Sequence, residues 1–200
     1  MSVSTRPVMN VQPSATQSGV VVLVGVMGTG KSTVGLGVAH ALQCSFVDLD
    51  AQIVKIAKST VSEIFARGGE TEFRTIEENV LSSVLDDACV QVDQQSARSV
   101  VVATGGGAVI SQANRDKIIS HADHVIWLDA HVDDLVKRTS SSKTARPLLA
   151  NNPQQVLSEL SSERAGLYEQ VATAKIETSG KHIDQVIESV LQVIRRAENK

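Results

Sequence analysis

The run Gly25-Val26-Met27-Gly28-Thr29-Gly30-Lys31-Ser32 has the residue types and the spacing to hold a nucleoside triphosphate. Glycines let backbone N–H groups curl around phosphate oxygens, a lysine reaches the β- and γ-phosphates, and a serine hydroxyl can ligate Mg²⁺. The apolar run Val20–Val24 comes just before this loop, and a helix-like stretch from Ser32 to Leu42 follows it. That helix would point its positive end at the same anion. A glycine-rich turn can match the pattern by chance, but the strand before it and the helix after it are the context a phosphate loop requires. Gly28, Thr29, Gly30, Lys31, Ser32 and Thr33 are the nucleotide contacts expected from it.

Two more groups sit just after apolar runs. Asp48 and Asp50 lie at i and i+2, a spacing that on extended chain sends both carboxylates to one face. Asp48 is then suited to hold Mg²⁺ directly or through water, and Asp50 to orient or deprotonate an attacking hydroxyl. The plainer alternative is that Asp50 N-caps the next helix. Gly105-Gly106-Gly107 offers several bare N–H groups to a ligand without side-chain interference. A sharp turn alone would need only one glycine. The third apolar run ends without an acidic residue, so metal ligation falls on Ser32 and Asp48.

These groups need a frame that brings them together. Apolar runs at Val20–Val24, Phe46–Leu49, Val100–Ala103, His124–Leu128 and, more weakly, Ala174–Glu177 alternate with helical patterns. The helical segments are Lys31–Leu42, Asp50–Lys58, Val61–Ala66, Glu70–Val90, Gln112–Ser120, Val132–Arg138, Pro153–Val171 and His182–Ala197. Such alternation predicts a parallel sheet with helices on both faces, and in such sheets ligands bind outside the carboxyl ends of the strands. The loop, the acid pair and the glycine triplet all fall at those ends. Gln91–Ser99 is polar and reads as a slack surface connection. Ser140 to Asn152 has little apolar content between two helices and reads as a mobile lid. Met1 to Ser18 has no periodicity and too little apolar surface to offset ordering, so it reads as a disordered tail.

At 200 residues and a net charge of −3, the chain has room for one compact α/β domain, residues 19–200, and lacks the basic stripe that nucleic-acid binding needs. Cys44 and Cys89 have no metal-ligand spacing and read as small buried hydrophobes in a reducing cytoplasm. No apolar stretch approaches the roughly 20 residues of a membrane span, and the N-terminal segment lacks the apolar core of a signal peptide. No exposed apolar stripe demands a partner, so a monomer is the default. Met27, inside the loop, is expected to contribute packing or a substrate-facing wall, and Trp127 and Phe65 are expected as core.

Taken together, six blocks resemble the shikimate kinase family: Gly25 to Gly35, Phe46-Val-Asp-Leu-Asp50, Val61-Ser-Glu-Ile-Phe65, Gly69-Glu-Thr-Glu-Phe-Arg-Thr-Ile-Glu77, Ala103-Thr-Gly-Gly-Gly107 and Arg146-Pro-Leu-Leu149. Their joint presence in this order is far more specific than the phosphate loop alone. The resemblance implies a P-loop, three-layer α/β/α fold with a five-stranded parallel sheet in the order 2-3-1-4-5 and a mobile lid at about 139–152. It also implies ATP-dependent phosphorylation of the 3-hydroxyl of shikimate, in the route to aromatic amino acids.

By the same resemblance, Asp50 holds the reacting hydroxyls, Asp48 supports Mg²⁺ through water, and Gly105, Gly106 and Gly107 line the substrate. Arg74 grips the substrate carboxylate, with Glu77 and Glu78 placed to steady it. Arg146 closes over the phosphates beside the catalytic Lys31, and Arg164 gives a second carboxylate contact. Gly166 replaces the proline the family typically has two residues after that arginine, which leaves the local backbone open. Arg138 matches a position against the adenine, or else is a helix C-terminal cation favoured by the macrodipole. Two other readings stay open: a related gluconate-type kinase, and a nucleotide switch without small-molecule chemistry. A GTPase-type switch would need an Asn-Lys-x-Asp block that the chain lacks.

Overall fold

In a computed structural model that describes residues 19–93, 99–140 and 152–198, five strands form one parallel sheet. They are β1 (Gly19–Val24), β2 (Ser45–Asp48), β3 (Ser99–Ala103), β4 (His124–Asp129) and β5 (Ala174–Glu177), in the spatial order β2-β3-β1-β4-β5. Central β1 pairs with β3 through Val20↔Val100 and Val22↔Val102, and with β4 through Val22↔Val125. The central strands are unbroken apolar runs because both faces are covered. Val20, Val22 and Val24 pack on one side of the sheet and Val21 and Leu23 on the other.

The first side is covered by α2 (Leu49–Ala57), α3 (Val61–Asp93), α4 (Gln112–His121) and α6 (Pro153–Val171). The second is covered by α1 (Lys31–Leu42) and α7 (Ile183–Glu198); α5 (Val132–Ser140) follows β4. Helix α1 buries Lys31, Val34, Gly35, Val38 and Ala39, the i, i+3, i+4 spacing of one helix face. Trp127 and Tyr168 stack in the core at a centroid distance of 5.7 Å, and Phe65 stacks on Phe73 at 4.9 Å. Cys44 and Cys89 are half-buried and joined to no disulfide among the described residues, and burial pushes the Cys44 thiol up to about 11. No described helix is long and apolar enough to cross a membrane.

Helix α3 follows the sequence expectation at its kink and departs from it at its C-terminal end. The helices expected at Val61–Ala66 and Glu70–Val90 are both present within α3, as two helical stretches that meet at a kink at Gly69 (φ 68°, ψ −161°). One glycine in a left-handed conformation turns the chain without a loop. Helix α3 also runs on to Asp93, so Gln91 to Asp93 belong to it rather than to a slack connection; Val92 packs against the core and carries the helix past the expected end. Its start is fixed by a capping box: the Thr60 amide donates to Glu63 Oε2 at 2.7 Å and the Glu63 amide donates to Thr60 Oγ1 at 3.2 Å. The tail Met1 to Ser18 and most of the lid segment, 141–151, lie outside the described residues.

Helix α6 passes through Gly166 without interruption, and a Cβ built there meets nothing within 4 Å. The glycine therefore adds only backbone entropy to the unfolded chain. Gly166→Ala should stabilise the protein by about 0.5–1 kcal/mol and raise the melting temperature by about 1–4 °C. A melting temperature that falls in calorimetry would show that the helix needs glycine there.

Candidate active site

The phosphate loop is shaped by glycines that no other residue could replace cheaply. Gly25, Gly28 and Gly30 have φ of 141°, 88° and 96°. A Cβ on Gly25 would lie 2.2 Å from the Leu128 carbonyl at the end of β4. Within the loop, Thr29 Oγ1 donates to the Val26 carbonyl at 2.8 Å, and Lys31 Nζ donates to the Gly25 and Val26 carbonyls at 2.7 and 3.0 Å. The loop is thus braced from inside by Thr29 and Lys31.

A cavity of about 590 Å³ opens over the loop. Its walls include Gly28, Thr29, Gly30, Lys31, Ser32 and Thr33, together with Met27, Asp50, Thr104 and Gly106. All six loop residues expected to contact nucleotide therefore face one space. At the far end it is walled by Arg138, Thr178, Lys181, Ile183 and Val186. Arg138 donates to Thr178 Oγ1 at 2.9 Å and to the Thr178 carbonyl at 2.8 Å, so its guanidinium is anchored to the end of β5. Thr178 and Lys181 were not singled out in the sequence. The strand-end rule applied to the weak fifth strand would have pointed to them.

The acid pair is arranged differently from the expectation. The chain turns helical at Leu49, so Asp48 closes β2 while Asp50 lies in the first turn of α2. Asp48 is the N-cap, its Oδ1 accepting from the Ala51 amide at 3.1 Å. Capping thus falls to Asp48 and not to Asp50, and the extended-chain argument for a shared face does not apply. Asp50 reaches the cavity and Asp48 is not among its walls.

The glycine triplet joins this cavity to a cluster of charged side chains. A Cβ on Gly105 would lie 2.7 Å from Glu77 Oε1 and 2.9 Å from Asp50 Oδ1. One on Gly106 would lie 3.1 Å from the Met27 nitrogen, and one on Gly107 would overlap the guanidinium of Arg74 at 2.3–2.6 Å. The Gly106 carbonyl accepts from Arg164 Nη1 at 3.1 Å and from the Tyr168 hydroxyl at 2.5 Å. The structure therefore brings Asp50, Arg74, Gly105, Gly106, Gly107 and Arg164 together. Tyr168 was given no role from the sequence, although it stands one helical turn after Arg164 on the buried face of α6. Burial pushes its hydroxyl up to about 12 against the opposing pull of Arg164, which keeps it a donor.

Arg74 is held by Glu77 Oε2 at 2.6 Å and by Glu70 Oε1 at 3.0 Å. Glu78, expected to share this task, accepts instead from Ser111 Oγ at 2.8 Å. On this helix the i−4 and i+3 neighbours face the arginine, while i+4 points toward the start of α4. Burial alone would lower the Arg74 pKa, and the two carboxylates overturn that and hold it above its ordinary value. Glu77 is 1% exposed, and its Oε1 has no hydrogen-bond partner among the described residues. Burial raises its pKa first, Arg74 opposes this, and the neighbouring Asp50 carboxylate adds to the rise. The result is a cluster of two guanidinium groups, two carboxylates and bare backbone beside the cavity, with the chemistry to meet an anionic, hydroxylated acceptor.

Gly107 has φ −103°, which alanine accepts, so a substitution there acts on Arg74 rather than on the backbone. Gly107→Ala is expected to fold with a melting temperature within about 2 °C of the parent. It should raise the acceptor KM about tenfold or more by displacing a charged donor. An unchanged KM would mean that Arg74 acts from another position.

Arg146 lies outside the described residues. Among the described residues no cluster of three or more His, Cys, Asp or Glu side chains could hold a metal. A Ser hydroxyl and one carboxylate nonetheless fit Mg²⁺, which keeps most of its waters and shares substrate phosphates. Asp48 has Oδ2 beyond its capping bond for that purpose.

The family model described as shikimate kinase matches residues 27–195. A shikimate kinase of Streptomyces avermitilis is 39% identical over 178 residues, covering 89% of this chain and 96% of its own. One from Gloeobacter violaceus is 42% identical over 159 residues, 79% of this chain and 82% of its own. The structure of shikimate kinase from Acinetobacter baumannii in complex with shikimate superposes with a TM-score of 0.81. It shares 34% identity and covers 92% of this chain and 97% of that one.

Proposed function

The chain belongs to the shikimate kinase family and phosphorylates shikimate from ATP, and we propose that it carries the γ-phosphate directly to the 3-hydroxyl, with no covalent enzyme intermediate. The observation that carries this reading is the position of Gly106. It walls the nucleotide cavity, while its carbonyl takes Arg164 and its triplet neighbours meet Arg74, Glu77 and Asp50. Donor and acceptor therefore meet across one residue, the proximity an in-line transfer requires.

In this reading Gly28, Thr29, Gly30, Ser32 and Thr33 cradle the phosphates, and Lys31 turns from the Gly25 and Val26 carbonyls to the γ-phosphate. Arg138 stands at the nucleoside end of the cavity. Arg74 and Arg164 grip the acceptor carboxylate, and the N–H groups of Gly105, Gly106 and Gly107 line its other side. Asp50 accepts the proton of the attacking hydroxyl. Arg146, carried on the segment between α5 and α6, adds positive charge where the transferring phosphoryl group develops it. Ser32 and Asp48 would hold Mg²⁺, which neutralises charge on the phosphates when bound. The protein acts as a monomer in the cytoplasm.

ADP production from Mg-ATP, followed in parallel with shikimate, with gluconate and with no acceptor, tests the reading, with Lys31→Ala as the blank. Strong release with shikimate alone is expected. Release with gluconate alone would move the substrate while keeping the fold, and release with neither would leave a nucleotide-binding module.

A further inference from the structure

The glycine triplet runs into a single 3-10 turn, Ala108–Ile110, whose carbonyls have no helical N–H to accept from. All three find side-chain donors in the first turn of α4. Asn114 Nδ2 donates to the Ala108 carbonyl at 2.8 Å. Arg115 Nη1 donates to the carbonyls of Val109 and Ile110 at 2.7 and 2.9 Å, and its Nη2 donates to Gln112 Oε1. Both residues are buried, at 2% and 8% exposure. No described carboxylate pairs with Arg115, and its buried Nε has no partner among the described residues. A buried cation held without a counter-charge is costly, so carbonyl oxygens must supply what a carboxylate usually does.

The front of the same turn is equally taken up. The Gly105 carbonyl accepts from the Ala108 amide at 3.2 Å and the Gly107 carbonyl from the Ile110 amide at 2.9 Å. The Gly106 carbonyl accepts from Arg164 and Tyr168. Every carbonyl from Gly105 to Ile110 is therefore engaged, whereas the amides of Gly105, Gly106 and Gly107 donate to no described acceptor. The turn is fixed by its oxygens so that its N–H groups stay available to an acceptor ligand.

We propose that Asn114 and Arg115 are positioning residues of the acceptor site. They hold the turn from behind, and through it they hold the Gly107 backbone against the Arg74 guanidinium. Neither is among the residues that line the cavity, and both act through the glycines. The proposal rests on the acceptor reading given above.

The test is steady-state kinetics of the full chain with shikimate and ATP varied separately, alongside thermal melting. Arg115→Met keeps the stem and removes the fork, and should raise the shikimate KM about tenfold while the ATP KM stays within about twofold. Arg115→Lys, which can reach one carbonyl, should recover part of that loss. Asn114→Ala should raise the shikimate KM about fivefold. A lower melting temperature with an unchanged shikimate KM would overturn the proposal, as would parallel rises in both KM values. If Arg115→Met does not fold, Arg115→Lys and Asn114→Ala decide by the same criterion. A parent protein inert toward shikimate would instead overturn the acceptor reading, and this proposal with it.

Discussion

Replacing Asp50 by asparagine will leave ATP binding intact and lower kcat with shikimate about a thousandfold, within the range of a lost general base. Asp50 is the only carboxylate on the described walls of the nucleotide cavity. Its Oδ1 also comes within 2.9 Å of the space beside Gly105, on the side of the charged cluster. It is therefore the group placed to take a proton as a hydroxyl attacks across that boundary. An amide keeps the shape and can still hold a hydroxyl, but it cannot accept the proton. Calorimetric titration with nucleotide and turnover measured side by side separate the two effects. Turnover within a few-fold of the parent would remove Asp50 from the chemistry and leave phosphate positioning as the main source of rate.

Arg74→Ala should act on the other axis, raising the shikimate KM about a hundredfold with little change for ATP, since it removes a bidentate charge-assisted contact. An unchanged acceptor KM would contradict the assignment. The variant carries a second signature. Glu77 is already pushed upward by burial, and Arg74 is the main group opposing that. Without the arginine the carboxyl of the folded protein should titrate still higher. A carboxyl whose folded pKa exceeds its unfolded value contributes stability at low pH, and that contribution fades as pH rises from the ordinary glutamate range through the raised value. The melting temperature of Arg74→Ala should accordingly drop, relative to the parent, as pH is raised across that window. Adding Glu77→Gln should flatten the slope. A parallel pH profile for parent and variant would mean that water reaches Glu77 once the arginine is gone.

Much of this arrangement was legible from local chemistry. Val20–Val24 and Val100–Ala103 are recognisable because strands buried on both faces admit only apolar residues, and the loop from Gly25 to Ser32 because phosphate binding restricts every position in it. What escaped were choices between neighbours of similar type. Asp48 and Asp50 are both good caps, and which of them caps depends on the residue at which β2 turns helical, which no single side chain dictates. Glu70, Glu77 and Glu78 all lie within a turn of Arg74, and the partner was decided by which face of α3 meets the glycine triplet. Tyr168 and Arg115 resemble ordinary helix residues until the fold sets the Gly106 carbonyl and the 3-10 turn beside them. Their roles depend on contacts 62 and 6 residues apart in sequence, and only the first of these is beyond the reach of local pattern.

The crowding around Gly106 bears on how such a protein can change over evolutionary time. A Cβ there would lie 3.1 Å from the Met27 nitrogen, and its carbonyl is occupied by Arg164 and Tyr168, so a side chain would push on the phosphate loop and a shifted backbone would give up both bonds. The partition between the two substrates therefore resists change. New acceptors can be reached only by altering the rim, through Arg74, Glu77 and the helix α3 that carries them. For the same reason, a small molecule designed to bridge both halves of the site would meet a wall that point mutation cannot readily move, so resistance would have to arise at the rim.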